Sequence, residues 1–227
     1  HRSKTALAKE FFNEYLKMSN NEYGPIADMV SAIFRKDNTR VPMSRVLPST
    51  EQWYSLVSHR GGLYGSKEGH ILGMDFDCGN TGEERIMFSA GPSIKNHGIA
   101  FYNDGFSAVV SMGIAGENSK LYVIHRRPEG WSQAKAIKFK KMNASCISPF
   151  FDEENSILYF ASNAQGGMGG YDIYLSYLVK GKFQEPVNLG AHVNSFKDEI
   201  APSVDGDWLR FSSNGYPTKG GFDLFRY

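Results

Sequence analysis

Two stretches near the C-terminal end of the chain are copies of one another. One is "SPFFDEENSILYFASNAQGGMGGYDIYLS", from Ser148, and the other is "APSVDGDWLRFSSNGYPTKGGFDLFRY", from Ala201. Pro149 aligns with Pro202, Asp152 with Asp205, and Leu158-Tyr159-Phe160 with Leu209-Arg210-Phe211. Gly170 and Asp172 align with Gly221 and Asp223. The spacing is 53 residues before the shared apolar strand and 51 after it, the signature of a two-residue difference in one turn. A fainter copy lies upstream, where Asp104-Gly105 matches Asp205-Gly206 and "FSAVVS" replaces "WLRFSS". A fourth copy is sketched over Val41–Ser89.

Each copy reads as four short strands: a polar lead-in, a first strand, a tight turn, a second strand, a glycine-rich loop, and two more strands. Sixteen Phe and twelve Tyr among 24 Gly suit a turn-rich β protein. One such sheet cannot bury both of its faces. Copies stacked radially bury them, which is the propeller solution, and the long period implies one enlarged loop per blade. The alternative for the same turns is a β-sandwich. The expected class is therefore all-β: a β-propeller of four-stranded blades with a short N-terminal helical segment. Residues 1–40 form that segment, with Leu7, Phe11, Phe12, Tyr15 and Leu16 at helical spacing. Residues 41–227 form the propeller, with clear blades at about 97–141, 142–193 and 194–227. Trp131–Phe139 and Phe183–Leu189 each read as one continuous fourth strand.

The repeated residues have structural readings. Gly206 supplies the positive φ of a hairpin. Pro202 is expected at the end of an innermost strand, where no backbone donor is missed. Asp172 and Asp223 are expected to accept N–H groups from their own loops, because a catalytic group need occur only once whereas these recur in every blade. Trp53 and Trp208 are either core or a stacking platform. With Tyr216 they are the candidate contacts for a ligand or partner.

Charge is balanced, with 25 Lys plus Arg against 24 Asp plus Glu, so no nucleic-acid partner is expected. "KAIKFKK" at Lys135–Lys141 reads as a solvated edge. No run is long and apolar enough to span a bilayer, and the opening at His1 reads as a processed or trimmed protein. Cys78 and Cys146 form either one disulfide or two buried thiols. No G-x-S-x-G, H-E-x-x-H or P-loop occurs. "MDFDCGNTGEE" offers a calcium candidate in Asp75, Asp77 and Asn80, but its glycine precedes the asparagine and breaks the loop order. No cofactor is expected.

The pattern P-x-x-D-G-x-x-L-x-F-x-S-x-G…G-G-x-D-[IL]-[YF] resembles the WD40-like propeller repeat of bacterial envelope proteins. Val187–Pro202 is especially similar to copies in OmpA-family proteins of the Bacteroidetes associated with the outer membrane or with type IX secretion. The match is strong over Ile147–Tyr227 and fainter over Ile99–Phe139. The resemblance implies a periplasmic or outer-membrane-associated protein, without catalysis, that presents a rigid scaffold to an envelope protein partner or to glycan or peptidoglycan. A glycan- or peptide-binding module and a glycosidase-like propeller are the alternatives. The last would need paired carboxylates, for which Asp75, Asp104 and Glu199 are the nominees.

Overall fold

A computed structural model describes residues 54–59, 62–67, 69–77, 80–81, 85–91, 93–217 and 220–227. The expected N-terminal helices, Trp53 and Cys78 lie outside these residues. The described residues are all-β apart from one 3-10 turn, Gly190–His192.

Four sheets follow one another along the chain. The first holds β1 (Tyr54–His59), β2 (Gly62–Lys67), β3 (His70–Asp77), β4 (Asn80–Thr81) and β5 (Arg85–Ser89). The second holds β6 (Ile94–Tyr102), β7 (Ser107–Ile114), β8 (Lys120–Arg127), β9 (Gly130–Trp131) and β10 (Lys135–Ala136). The third holds β11 (Cys146–Asp152), β12 (Ile157–Ser162), β13 (Asp172–Val179), β14 (Lys182–Phe183) and β15 (Val187–Asn188). The fourth holds β16 (Glu199–Asp205), β17 (Trp208–Ser213) and β18 (Asp223–Arg226). All neighbouring strands are antiparallel, and the first strand of each later sheet lies against the sheet before it. These are four consecutive blades of a β-propeller.

Side-chain parity explains why the blades stack. In the second sheet Ile99, Phe101, Ala108, Val110 and Ile124 join Ile71 of the first sheet in one core. The alternate residues Ala100, Tyr102, Val109 and Leu121 join Phe151, Leu158, Phe160 and Tyr174 of the third. The other face of the third sheet, with Ala161 and Ile173, packs on Phe211 of the fourth. Strands buried on both faces read as nearly continuous apolar runs, which is the pattern of "SAVVS" and "ILYFAS". A two-layer sandwich would leave one face of every sheet to solvent, so the alternation found here excludes it.

The structure corrects two strand expectations. The fourth strands are each broken in two. Gly130–Trp131 and Lys135–Ala136 both pair with β8, and Lys182–Phe183 and Val187–Asn188 both pair with β13. In the third blade Pro186 stands in the gap, at an outer edge where its missing N–H costs nothing. In the first blade β4 and β5 form the same two-piece edge along β3. Nor is Pro202 at a strand end. It lies in mid-strand within a β-bulge, where Ala201 and Pro202 oppose one residue of β17 and Ala201 has φ 51°. Ser148-Pro149 and His97-Gly98 repeat that bulge in their own first strands. A bulged residue has no place in the ladder, so proline there removes no hydrogen bond.

Candidate interaction surface

The polar lead-in "NSFKDE" ties the third blade to the fourth. The Asn194 side chain accepts from the Ile173 N–H at 2.7 Å and donates to the Ile173 carbonyl at 3.0 Å. Asp198 accepts the Tyr171 N–H at 2.9 Å, while the Glu199 N–H donates to the Tyr171 carbonyl at 2.6 Å. Glu199 is fully buried, and its carboxylate accepts from the Ser195 N–H, the Ser195 hydroxyl and the Ser213 hydroxyl at 2.5–2.7 Å. The same clasp recurs between the second and third blades in other residues. There the Ser145 hydroxyl accepts the Ser119 N–H, and the Cys146 N–H donates to the Ser119 carbonyl.

The glycine-rich loop is part of this joint. Asp172, fully buried, accepts from the Met168 N–H at 2.6 Å, the Gly169 N–H at 3.1 Å and the Asn188 side-chain amide at 2.8 Å. A Cβ on Gly169 would stand 2.0 Å from the Lys197 carbonyl oxygen, and one on Gly170 would stand 2.2 Å from Asp198 Oδ1. The loop therefore lies flush against the next blade, and only glycine permits that approach. Among the third-blade turn residues, Asp152 accepts the Glu154 and Asn155 N–H groups. In the fourth blade Asp205 instead pairs with the Arg210 guanidinium across the hairpin, and Gly206 takes φ 58°. Asp223 opens β18 in register with Ser213, and Gly221 precedes it at φ 70°.

The remaining nominated residues separate. Glu199 opens β16 and is consumed by the clasp, whereas Asp104 sits in the exposed turn after the end of β6. The repeat register puts them at opposite ends of equivalent innermost strands, so they do not form a carboxylate pair. Asp75 and Asp77 lie in β3 and Asn80 in β4, with Asp77 opposite Asn80. The side chains of these three residues fall outside the described set. Among the described residues no three His, Cys, Asp or Glu are grouped to hold a metal ion. Cys146 is a free, buried thiol, which burial pushes up to about 11. Of "KAIKFKK", only Lys135–Ala136 is strand. Ile137 and Phe139 pack into the core, and the Glu185 carboxylate accepts the Lys140 and Lys141 N–H groups.

Tyr216 is half-buried against Phe211 and Phe225, and burial, then the nearby Glu199 charge, raises its phenol above the usual range. Trp208 is not core. It is 46% exposed, and the Arg226 guanidinium lies 4.6 Å from its ring centroid. Sequence reasoning missed the arginines beside it: counted from the hairpins, the structure sets Arg210 where the other blades carry Val109 and Tyr159, one residue away from the alignment of "FSAVVS" with "WLRFSS". A separate groove of about 420 Å³ lies between the first and second blades, lined by Phe88, Ile94, Met112, Ile114 and Tyr122, with Lys120 beside them.

No family model matches the chain, and no curated protein matches it. Solved structures do. The crystal structure of TolB from Acinetobacter baumannii is 15% identical with a TM-score of 0.53, over 80% of this chain and 42% of that one. The structure of a putative TolB from Agrobacterium tumefaciens is 15% identical with a TM-score of 0.54, over 78% of this chain and 58% of that one. The tricorn protease aligns with a TM-score of only 0.46 and bears on activity in neither direction. The chain thus spans about half the length of the TolB structures it matches. At this identity the likeness concerns the fold, and the fold it supports is the stacked-blade β-propeller described above.

Proposed function

We propose that this propeller is a non-catalytic interaction scaffold of the bacterial cell envelope, periplasmic or outer-membrane-associated, that serves a secretion or outer-membrane complex. One observation carries the non-catalytic part. Asp172, which recurs as Asp223, and the lead-in residues Asp198 and Glu199 are the prominent carboxylates of the blade joint; all three are buried or half-buried and spend their acceptors on the protein's own backbone and hydroxyls. Such groups build rigidity rather than chemistry. The envelope location is supported by the resemblance of the repeat to envelope propellers and by the likeness of the fold to the two TolB structures.

The test is cell fractionation followed by affinity capture of the tagged chain from cross-linked envelope. The reading expects the chain in the envelope fraction, with one envelope protein enriched in near-equal amount. A cytosolic chain, or no enriched protein, contradicts it.

A further inference from the structure

The connectors between consecutive blades differ in length, and the first is the shortest. β10 ends at Ala136 and β11 begins at Cys146; β15 ends at Asn188 and β16 begins at Glu199; but β5 ends at Ser89 and β6 begins already at Ile94. The longer connectors fill the outer part of the joint they cross. Between the second and third blades Ile137, Phe139 and Met142 pack into the core, with the Phe139 ring stacked on Phe160 at 5.7 Å. Between the third and fourth blades Leu189 and Val193 do the same. Between the first and second the chain turns tightly over Gly69 instead. The Ala90 N–H donates to the Gly69 carbonyl, and the Gly91 carbonyl leaves no room for a Cβ on Gly69.

The strand register identifies what the short connector leaves out. Phe88 pairs with Ile71 of β3, where Ile137 and Leu189 donate to Leu121 and Ile173, the equivalent residues of β8 and β13. Two residues further on, Ala90 stands in the place of Phe139. The groove of about 420 Å³ lies there, walled by Phe88, Ala90, Ile94, Met112, Ile114 and Tyr122. Its rim repeats a second feature of the filled joint. Ser132 and Gln184 donate to the equivalent His125 and Tyr177 carbonyls, so Gln133 corresponds to Glu185. Glu185 accepts the Lys140 and Lys141 N–H groups, which directly follow Phe139, and Gln133 lines the groove.

We propose that this groove binds an extended peptide segment of a partner protein. The segment inserts an aromatic side chain where the next joint holds Phe139, and offers its following backbone N–H groups to the Gln133 side-chain oxygen. This deepens the scaffold reading and rests on it. The groove is open because the connector between two described blades is short, not because a neighbouring blade is lacking. It continues the interface of those blades outward, so a ring seated there joins the core of Ile71, Ile99 and Met112. Apolar walls with one aligned polar group at the rim suit a side chain together with its main chain. A small aromatic molecule without backbone N–H groups would leave Gln133 unused.

The probe is a fluorescein-labelled peptide with the sequence of residues 137–142, "IKFKKM", which fills the equivalent place in the next joint. It is titrated with the full chain and read by fluorescence anisotropy, and methyl spectra locate the contact. The expected result is saturable binding that shifts the Met112 and Ile114 methyl signals. Ala90→Phe, which supplies the ring from the chain itself, is expected to weaken binding by about tenfold or more. A probe with alanine for its phenylalanine should lose as much. Gln133→Ala should weaken binding less, and Met168→Ala, on the exposed loop of the third blade, should leave it unchanged. Circular dichroism confirms that each variant folds. No binding by the unmodified chain, equal binding by Ala90→Phe, or equal binding of the alanine probe overturns the proposal. So do nuclear Overhauser contacts from residues 1–53 to Met112 or Ile114 in the unliganded chain, which would assign the groove to the chain's own segment. A dimer in sedimentation that Ala90→Phe dissociates would assign it to a second copy and overturn it likewise. If the same envelope partner is still captured by Ala90→Phe, the scaffold reading stands and this groove falls alone.

Discussion

The Asn194 side chain holds Ile173 as a strand partner would, its carbonyl oxygen 2.7 Å from the Ile173 nitrogen and its amide nitrogen 3.0 Å from the Ile173 oxygen. The lead-in to one blade thereby extends the hydrogen bonding of the blade before it. Removing the side chain orphans the Ile173 N–H in a buried site. Asn194→Ala is expected to cost about 2 kcal/mol in urea unfolding. Asn194→Asp, though isosteric, is expected to cost no less, because it turns the donor facing the Ile173 carbonyl into an acceptor.

Two glycines of one loop are expected to respond differently to alanine. Gly166 has φ 88° with nothing near its missing Cβ, so Gly166→Ala should cost about 1 kcal/mol of backbone strain. Gly169 faces the Lys197 carbonyl oxygen, and Gly169→Ala forces the two blades apart, at about 3 kcal/mol. Denaturant midpoints of the two variants make the comparison, and equal costs would mean that the loop does not lie against the next blade.

Glu185 accepts the Lys140 and Lys141 N–H groups, and the Lys140 hydrogen bond is the main cause holding its carboxyl below the usual range. A carboxyl lowered by folding stabilises above its unfolded pKa, and that contribution disappears as pH falls through the folded value. The stability difference between the unmodified chain and Glu185→Gln is therefore expected at neutral pH and expected to vanish in acid below the carboxylate range. Thermal unfolding across pH measures it.

In a Cys78→Ser chain, Cys146 is expected to resist aromatic disulfide reagents at neutral pH. Its thiol is buried and raised to about 11, so almost no thiolate is present. Full reactivity should appear only on unfolding, and stopped-flow absorbance in and out of denaturant gives both rates.

The propeller was legible because its constraints are periodic. Gly-Gly-aromatic-Asp recurs at Gly169 and Gly220, and both-faced burial writes itself as uninterrupted apolar strands such as Ser107–Ser111. The bulges were not legible. A proline in mid-strand is tolerated only when the register slips, and slippage at Ala201 leaves no mark of composition. The clasps were half-legible: "NSFKDE" stood out as polar, but its acceptors are main-chain groups of the preceding blade, which sequence does not name. Trp208 stays open between core and platform in the sequence because an indole is apolar by type, and its contact with Arg226 is made across the sheet and not along the chain.

The claim on which the rest depends is that alternate residues of one strand face different neighbouring blades. Methyl nuclear Overhauser spectra of the full chain test it at Val109 and Val110. The structure predicts contacts from Val110 into the cluster of Ile71 and Ile99, and from Val109 into that of Leu158. Both valines reporting the same neighbour, or one of them reporting solvent alone, would contradict it.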